Sequence, residues 1–499
     1  MNSFLPLGQR ILPAVGLSVT ALALVSCSVG PNYRRPDVAT PPAFKRATPT
    51  EKEVPVLSNT WWTLFNDPEL SSLVEKTLAA NLNIQASIAR VEEARAALGV
   101  ARGDSFPTAT LNPAMRRSHT SGGTTVVSDP VGSGGSTTGT TSGGTTVVTT
   151  GGSGRTTTVY SLPLNLNYEV DIWGRLRRQT EYYAETAQAS EADLEFVRQT
   201  AVADLAQAYF SIRLYDTQES IYRNSLDLFH KQLDLSQTKF KAGLSLQTDV
   251  LQAQTQVNAS AAQLVEVQRA RAKQEHAIAI LLGLAPEEFS LPPKPLSTKV
   301  PLVPAGLPAT LLNRRPDVAT AERRLAAANA QVGMAQADFY PSFSLTGSAG
   351  YQSSTRQNLT KWSNHVWSIG PSISLPIFEG GRLRGTLEER RAAYRELVAN
   401  YRSAVLTAYR DVEDQLSDLH LLAEKARLLD ATVASAREYS RLTELQYRQG
   451  ITGYLQVIDA NQTLLTNELS AAQAQNQRLV ATVLLIKALG AGWGGLAQK

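Results

Sequence analysis

The chain has 499 residues, 48 Lys+Arg against 44 Asp+Glu, and a single cysteine. One cysteine excludes an internal disulfide framework and any cysteine-rich zinc or iron–sulfur cluster. A net charge of +4 without a dense basic block gives no reason to expect nucleic-acid binding. Charged residues are 18% of the chain, below the roughly 25% of ordinary soluble domains, so many surfaces here are polar without being charged.

In chain order, an apolar stretch over 11–25 follows Arg10 and runs into Leu24-Val25-Ser26-Cys27. It is short for a membrane-spanning helix, which needs about 20 residues, and suits the apolar core of a secretory signal. Cys27 stands where a bacterial lipoprotein signal puts its lipid-modified residue, after a run that resembles a lipobox. Ser28, not Asp, follows it, which resembles an outer-membrane address. With 1–26 removed, no apolar run long enough to span a membrane as a helix remains.

The body is one unit written twice. Gly99-Val-Ala-Arg-Gly-Asp104-Ser-Phe106-Pro107 matches Gly333-Met-Ala-Gln-Ala-Asp338-Phe-Tyr340-Pro341 at an offset of 234 residues. Gly174-Arg-Leu-Arg177 matches Gly381-Arg-Leu-Arg384, Phe240-x-x-Gly243 matches Tyr447-x-x-Gly450, and Leu282-Gly283 matches Leu489-Gly490, all at 207. The change of offset places about 27 extra residues in the first copy between Pro107 and Gly174. The Gly/Ser/Thr tract of about 119–155 lies there, and its composition reads as a flexible loop. A Pro-rich connection over 291–308 joins the copies.

Within each copy the period changes. Tyr160, Leu162, Leu164, Leu166, Tyr168, Val170 and Ile172 alternate with polar residues, as do Trp367, Ile369, Pro371, Ile373, Leu375 and Ile377. Shorter alternating runs precede them: Ala109, Leu111, Pro113, Met115, and Phe343, Leu345, Gly347, Ala349, Tyr351. Period two with one apolar face predicts strands, a hairpin per copy. The remainder is predicted helical. Ala201, Ala208, Tyr215, Tyr222 and Phe229 recur every seven residues, interleaved with Leu205, Ile212, Leu226, Leu233 and Phe240. Val398, Val405, Val412, Leu419, Ala426, Val433 and Tyr447 repeat the stripe, as coiled-coil-like helices require. The segments 174–240 and 381–447 would each run about 100 Å, and 70–104 and 246–282 about 52 and 55 Å. Two short helices stacked end to end then match one long one, with the hairpins leaving one end of the layer.

Four strands cannot close. A bilayer tolerates only closed barrels, and these begin at about eight strands. Two copies would give an eight-stranded barrel filled by side chains; three give about twelve strands with room for a channel. Polar faces then line water and apolar faces meet lipid, with Tyr160, Tyr168, Tyr351 and Trp367 at the interfaces.

Several motifs together carry a resemblance: Val29-Gly-Pro-Asn-Tyr33-x-x-Pro36, Trp61-Trp62 with Phe65-x-Asp67, Gly174-Arg-Leu-Arg, Tyr447-x-x-Gly450 and Val457-Ile-Asp459-Ala. From Cys27 to about Gly490 the chain resembles the TolC-like outer-membrane factors, specifically the NodT-type efflux lipoproteins. The resemblance implies an α+β membrane protein. It would be a homotrimer with a twelve-stranded outer-membrane β-barrel and a twelve-helix periplasmic α-barrel. It implies an exit duct joined to a periplasmic adaptor (membrane fusion) protein and an inner-membrane transporter, most often of the resistance–nodulation–division type. On it the chain divides into a signal (1–26), a lipidated segment (27–69), a first repeat (70–288), a linker (289–306), a second repeat (307–490) and a tail (491–499). No catalytic residue, metal or cofactor is expected beyond lipid on Cys27. The partners the resemblance implies are sister copies, adaptor, transporter and outer-membrane lipid, and no nucleic acid is expected.

The resemblance also assigns sites. The turns Lys241-Ala-Gly243-Leu244-Ser245 and Arg448-Gln-Gly450-Ile451-Thr452 match the tips that dock the adaptor. Gly243 and Gly450 fit left-handed helix stops, which suffices as a structural explanation. Leu455 and Asp459 match the residues that constrict the closed pore, an apolar ring and a carboxylate ring in a trimer. Such a carboxylate ring repels itself, attracts cations and is switched by protonation. Tyr447 and Asp249 match a pair that latches the closed state by hydrogen bonding. Thr452 and Gln456 depart from the TolC pattern, which has an Arg and a further Asp there.

Other classes fit less well. The five histidines, His119, His230, His276, His365 and His420, show no HExxH spacing, and no G-x-S-x-G elbow is present. A type I secretion duct shares the expected architecture; a structural coiled-coil lipoprotein would not need two hairpins in phase. Cys27→Ser is expected to abolish lipid attachment. Palmitate label retained by the mutant would refute the assignment.

Overall fold

The alternating segments pair into one antiparallel sheet. The computed structural model describes residues 28–42, 44–45, 58–120, 155–303 and 314–495. The expected signal, Cys27, most of the Gly/Thr tract, part of the linker and the end of the tail lie outside them. The strands are β1 (Thr108–Leu111), β2 (Ala114–Thr120), β3 (Arg155–Val170), β4 (Ser342–Ser353) and β5 (His365–Ser374). β1 and β2 both pair with β3, β3 with β4, and β4 with β5.

β1 and β2 keep one register on β3: Leu111 lies opposite Leu164, and Ala114 opposite Ser161. Asn112 N–H still reaches the Pro163 carbonyl at 3.1 Å. Pro113, which has no N–H to give, is what divides the expected single strand in two. β5 likewise stops at Ser374 rather than running to Ile377, because Pro376 removes the next donor. Pro371 is tolerated inside β5 because this strand is an edge.

The chain divides into two compact units. The first takes Gly99–Thr180 and Val332–Glu388 with the chain up to Gly30; the second takes Pro31–Leu98, Glu181–Gln331 and Glu389–Lys499. In the first unit every strand end nearest a helix lies at the same end of the sheet, since Val170, Phe343 and Ile373 are register neighbours. Asp171 starts the next helix: its carboxylate accepts Leu176 N–H at 3.2 Å and Arg177 N–H at 2.9 Å, satisfying donors that a helix N-terminus leaves open. Val29 N–H donates to the Trp173 carbonyl at 2.9 Å, so the N-terminal segment begins against this same strand-to-helix crossing.

Seven α-helices occur among the described residues: α1 (Pro68–Ala80), α2 (Leu82–Gly103), α3 (Arg175–Lys241), α4 (Gln247–Leu281), α5 (Pro316–Ala337), α6 (Arg382–Arg448) and α7 (Tyr454–Ala488). α3 and α6 each have 67 residues, and α4 and α7 each have 35. The expected helix over 70–104 is two. Asn81 interrupts it with ψ 123°, its Oδ1 accepts Asn83 N–H at 3.0 Å and Ile84 N–H at 3.2 Å, and its amide donates to Leu281 O at 2.9 Å. Asn81 caps α2 while tying it to the end of α4.

The seven-residue stripe faces inward in the second unit. Ala201, Leu205, Ala208, Ile212, Phe229 and Leu233 of α3 are buried, as are Val405, Val412, Ala426 and Tyr447 of α6. Phe240, the last of the α3 stripe, is exposed. One cluster gathers Trp61, Trp62, Phe65, Tyr209 and Phe210; another holds Phe229, Leu233, Val257, Tyr447, Tyr454 and Val457.

An ion network crosses the first of these clusters. Asp216, with its side chain 1% exposed, accepts from Arg213 at 2.9 Å and from Arg271 at 2.7 Å. Arg213 also reaches Glu69 at 2.7 Å and Pro292 O at 2.7 Å, and Lys294 N–H meets Asp216 at 2.9 Å. The chain over 291–296 is thereby strapped to the helices. Removing one partner of a buried pair strands the other charges. Asp216→Ala should lower stability by about 3–5 kcal/mol, read as a drop in the thermal midpoint by circular dichroism; an unshifted midpoint would show the network to be dispensable.

Candidate functional site: sheet faces and helical tips

Register fixes what each face of the sheet carries. On one face Met115, Leu111 and Ala109 neighbour Tyr160, Leu164 and Leu166. The latter continue across β4 and β5 through Tyr351, Ala349, Leu345 and Phe343 to Trp367, Ile369, Pro371 and Ile373. This face is bare: Trp367 is 70% exposed, Ile369 65% and Ile373 67%. The other face carries Thr108, Thr110, Asn165, Asn167, Ser344, Thr346, Ser348, Ser368, Ser372 and Ser374. Its hydroxyls bond across strands, as in Ser344–Ser372 at 2.7 Å. Between Tyr160 and Val170 the apolar face runs about 33 Å along the strand. At the tilt of about 40° found in barrels this is about 25 Å of height, the apolar band of an outer-membrane protein. Tyr160, Tyr351 and Trp367 stand toward one end of this band, and Tyr168 and Phe343 toward the other.

In the second unit the two expected tips share one local device. Leu244 N–H donates to Lys239 O at 2.8 Å and Gly243 N–H to Phe240 O at 2.9 Å; Ile451 N–H donates to Gln446 O at 2.9 Å and Gly450 N–H to Tyr447 O at 3.1 Å. This pair of bonds defines a Schellman stop, whose left-handed residue is most easily glycine. Gly243 has φ 73° and Gly450 φ 77°. Beyond each glycine an apolar side chain stands in the open: Leu244 is 77% exposed and Ile451 69%. Lys241 and Arg448 end their helices, Arg448 held by Glu444 at 2.5 Å. Ser245 Oγ donates to Ser236 O at 3.4 Å, and the Thr452 hydroxyl is buried without a partner.

Leu455 and Asp459 lie one turn apart on the exposed face of α7, while Tyr454, Val457 and Ala460 bury the opposite face. Burial pushes the Tyr454 hydroxyl up to about 12. Tyr439 OH donates to Asp459 Oδ2 at 3.4 Å. The hydrogen bond expected between Tyr447 and Asp249 is not formed among the described residues. Asp249 sits in the first turn of α4 and accepts Leu246 N–H at 3.4 Å. Tyr447 is covered instead by Lys239, whose Nζ lies 3.6 Å from the ring centroid. α4 is tied to α7 by the Gln256 amide, which donates to Gln462 Oε1 at 2.9 Å, and Ser440 Oγ donates to Asn461 Oδ1 at 2.5 Å. Lys239, Gln256, Gln462 and Asn461 escaped the sequence reading. Lys239 lies outside the seven-residue stripe of α3, and no period in the sequence marked the others.

The family model described as outer membrane efflux protein matches residues 73–284 and 307–491. The chain belongs to the outer membrane efflux protein family. It is 30% identical over 485 residues to the probable efflux pump outer membrane protein TtgC of Pseudomonas putida KT2440, covering 96% of this chain and 95% of that one. It is 29% identical over 490 residues to outer membrane protein OprJ of Pseudomonas aeruginosa, covering 96% of each. Its fold superposes on the outer-membrane channel OprN with a TM-score of 0.83 at 30% identity, covering 94% of this chain and all of that one. This efflux protein is therefore a channel of the outer membrane and not an enzyme. Among the described residues no helix is long and apolar enough to cross a membrane; the apolar sheet face is the part fitted to lipid.

A Cβ at Gly450 would meet nothing within 4 Å, so Gly450→Ala tests backbone conformation alone. It is expected to cost about 1–2 kcal/mol, seen as faster amide hydrogen exchange over 445–453 with α5 unaffected. Unchanged exchange would mean the left-handed stop is not required.

Proposed function

We propose that three copies of this chain form the exit duct of a tripartite efflux pump, with the sheets closed into one barrel and the helices into a tube. The observation that carries this reading is a four-strand-wide sheet with an apolar face and two edges left open among the described residues. In hydrocarbon each unpaired edge group costs several kcal/mol, and sister sheets supply the missing partners. Twelve strands leave an aqueous lumen, which the hydroxyl-bearing face lines. The helices show the same need for partners. α6 exposes Leu421, Leu428 and Leu442, and α4 exposes Leu251 and Val265, at spacings of seven or fourteen residues. Bare apolar positions in heptad phase are a coiled-coil seam lacking its partner.

The lipid on Cys27 belongs to this reading. Cys27 precedes Ser28 and Val29, and Val29 is bonded to the helix-side end of the sheet. An acyl chain there enters the membrane from the periplasmic side. The bare Leu244 and Ile451 at the tips supply apolar anchors for a periplasmic adaptor, which couples the duct to an inner-membrane transporter of the resistance–nodulation–division type. Leu455 and Asp459 ring the closed end, and the Lys239–Tyr447 contact holds it where the Tyr447–Asp249 bond does not form.

Purified protein in a planar bilayer should conduct, and in detergent should cross-link to a trimer. Leu455→Ala combined with Asp459→Ala is expected to raise conductance several-fold and to sensitise cells to large antibiotics. A wild-type conductance in that double variant would remove these residues from the gate; a monomer with no conductance would remove the duct altogether.

A further inference from the structure

Charge is distributed unequally between the two ends of the sheet. The helix-side end mixes signs, with Arg175 paired to Glu169 at 2.7 Å and Arg177 to Asp171 at 3.2 Å. The far end has no such balance. No Asp or Glu occurs in 107–120, 155–168 or 342–374, and the only charged residue in 121–154 is Asp129. Arg116, Arg117, Arg356 and Lys361 lie at this end, are exposed, and make no ion pair among the described residues.

Register separates these cations by face. Arg117 pairs with Thr158 and His119 with Thr156, both in phase with Met115 and Tyr160 on the apolar face. Arg116, opposite Val159, is in phase with the polar face. The turn between β4 and β5 folds toward the apolar side. Trp362 stacks on His365, with ring centroids 4.6 Å apart and an interplanar angle of 16°, and His365 is in register with Tyr351. Arg356 and Lys361 are carried on that turn. Two strand spacings, about 10 Å, separate β2 from β4, so Arg117 and the turn flank β3 above the aromatic girdle.

We infer that Arg117, Arg356 and Lys361 form a basic rim, just past the apolar band, that binds phosphate-bearing lipid headgroups of the outer leaflet. The inference rests on the outer-membrane orientation proposed above, with the helices periplasmic. A cation beyond an aromatic belt sits at headgroup depth, and each Lys or Arg near an anionic surface attracts it appreciably. Arg side chains fork onto phosphate oxygens, and Lys adds a point charge. The sequence over 107–168 and 342–374 holds one acid, Asp129, against five cations counting Arg116 and Arg155, and the mixed charges at the periplasmic end confine the preference to one leaflet.

The full-length protein is reconstituted in phosphatidylcholine vesicles doped with a diphosphorylated glucosamine lipid, and the lipid retained on detergent extraction is measured by native mass spectrometry. The wild type should be enriched in the phosphorylated lipid but not in its dephosphorylated form. Replacement with Gln at Arg117, Arg356 and Lys361 should lower enrichment about fivefold for each cation removed, whereas Arg116→Gln, on the opposite face, should leave it unchanged. Equal enrichment in the triple variant, equal retention of the dephosphorylated lipid, or displacement by inorganic phosphate would each overturn the rim. Conductance and trimer cross-linking are followed in the same samples. Their loss would point to the duct reading, while intact conductance with no lipid preference would sink the rim alone.

Discussion

The structure depends on the need of backbone N–H and C=O groups for partners where no water can reach them. β1/β2 and β5 each present an outer row of such groups that no other strand among the described residues bonds. The apolar face between those rows is fitted to lipid, so solvent cannot satisfy them. An edge can be covered by a helix or blunted by charge; here Arg116 and Arg117 on β2 charge one edge at a single place, and the rest of both edges carries no such device among the described residues. The sheet is unstable alone in the place it is built for. The bare heptad positions of α4 and α6 state the same incompleteness in helical form.

The helical part reaches its stability by different means. Long helices gain little from intrinsic propensity and much from burying one face, and the inward stripe of α3 and α6 does that burying. Arg213, Asp216 and Arg271 add directionality rather than surplus energy, since buried ion pairs roughly break even against their desolvation. They fix where the chain over 291–296 crosses the helices. Toward the tips a buried apolar cluster around Tyr447, Tyr454 and Val457 is joined by individually weak polar contacts, among them a cation over a ring, an amide pair and a hydroxyl on a carboxylate. Each of these polar contacts is worth on the order of 1 kcal/mol.

Periodicity made the architecture legible in the sequence. Alternation located the strands, and the two faces it implied are the two faces observed; the seven-residue phase located the long helices to within a residue at their starts. Punctuation was less well read. Asn81 looked like one more polar helix residue, and Pro113 like one more position in an alternating run, although the cap and the missing donor were both chemically visible. The partners across the fold were not visible at all. Asp216 finds Arg271 across 55 residues and Lys239 finds Tyr447 across 208, and nothing in a single sequence couples such positions. The latch shows the limit of borrowing: Tyr447 and Asp249 are both present, yet Asp249 is engaged in the first turn of its own helix.

Between Arg116 toward one end and Glu169 toward the other, the hydroxyl-bearing face carries no charge, which has a consequence for traffic through the proposed duct. Serine, threonine and asparagine keep a water column wetted while offering a passing solute only contacts that water can match, so no deep well forms along the way. A cationic, anionic or oily cargo meets nearly the same friction there. Such a passage discards information about what it carries, which leaves sorting to whatever loads it and lets one duct serve unlike chemistries without being rebuilt.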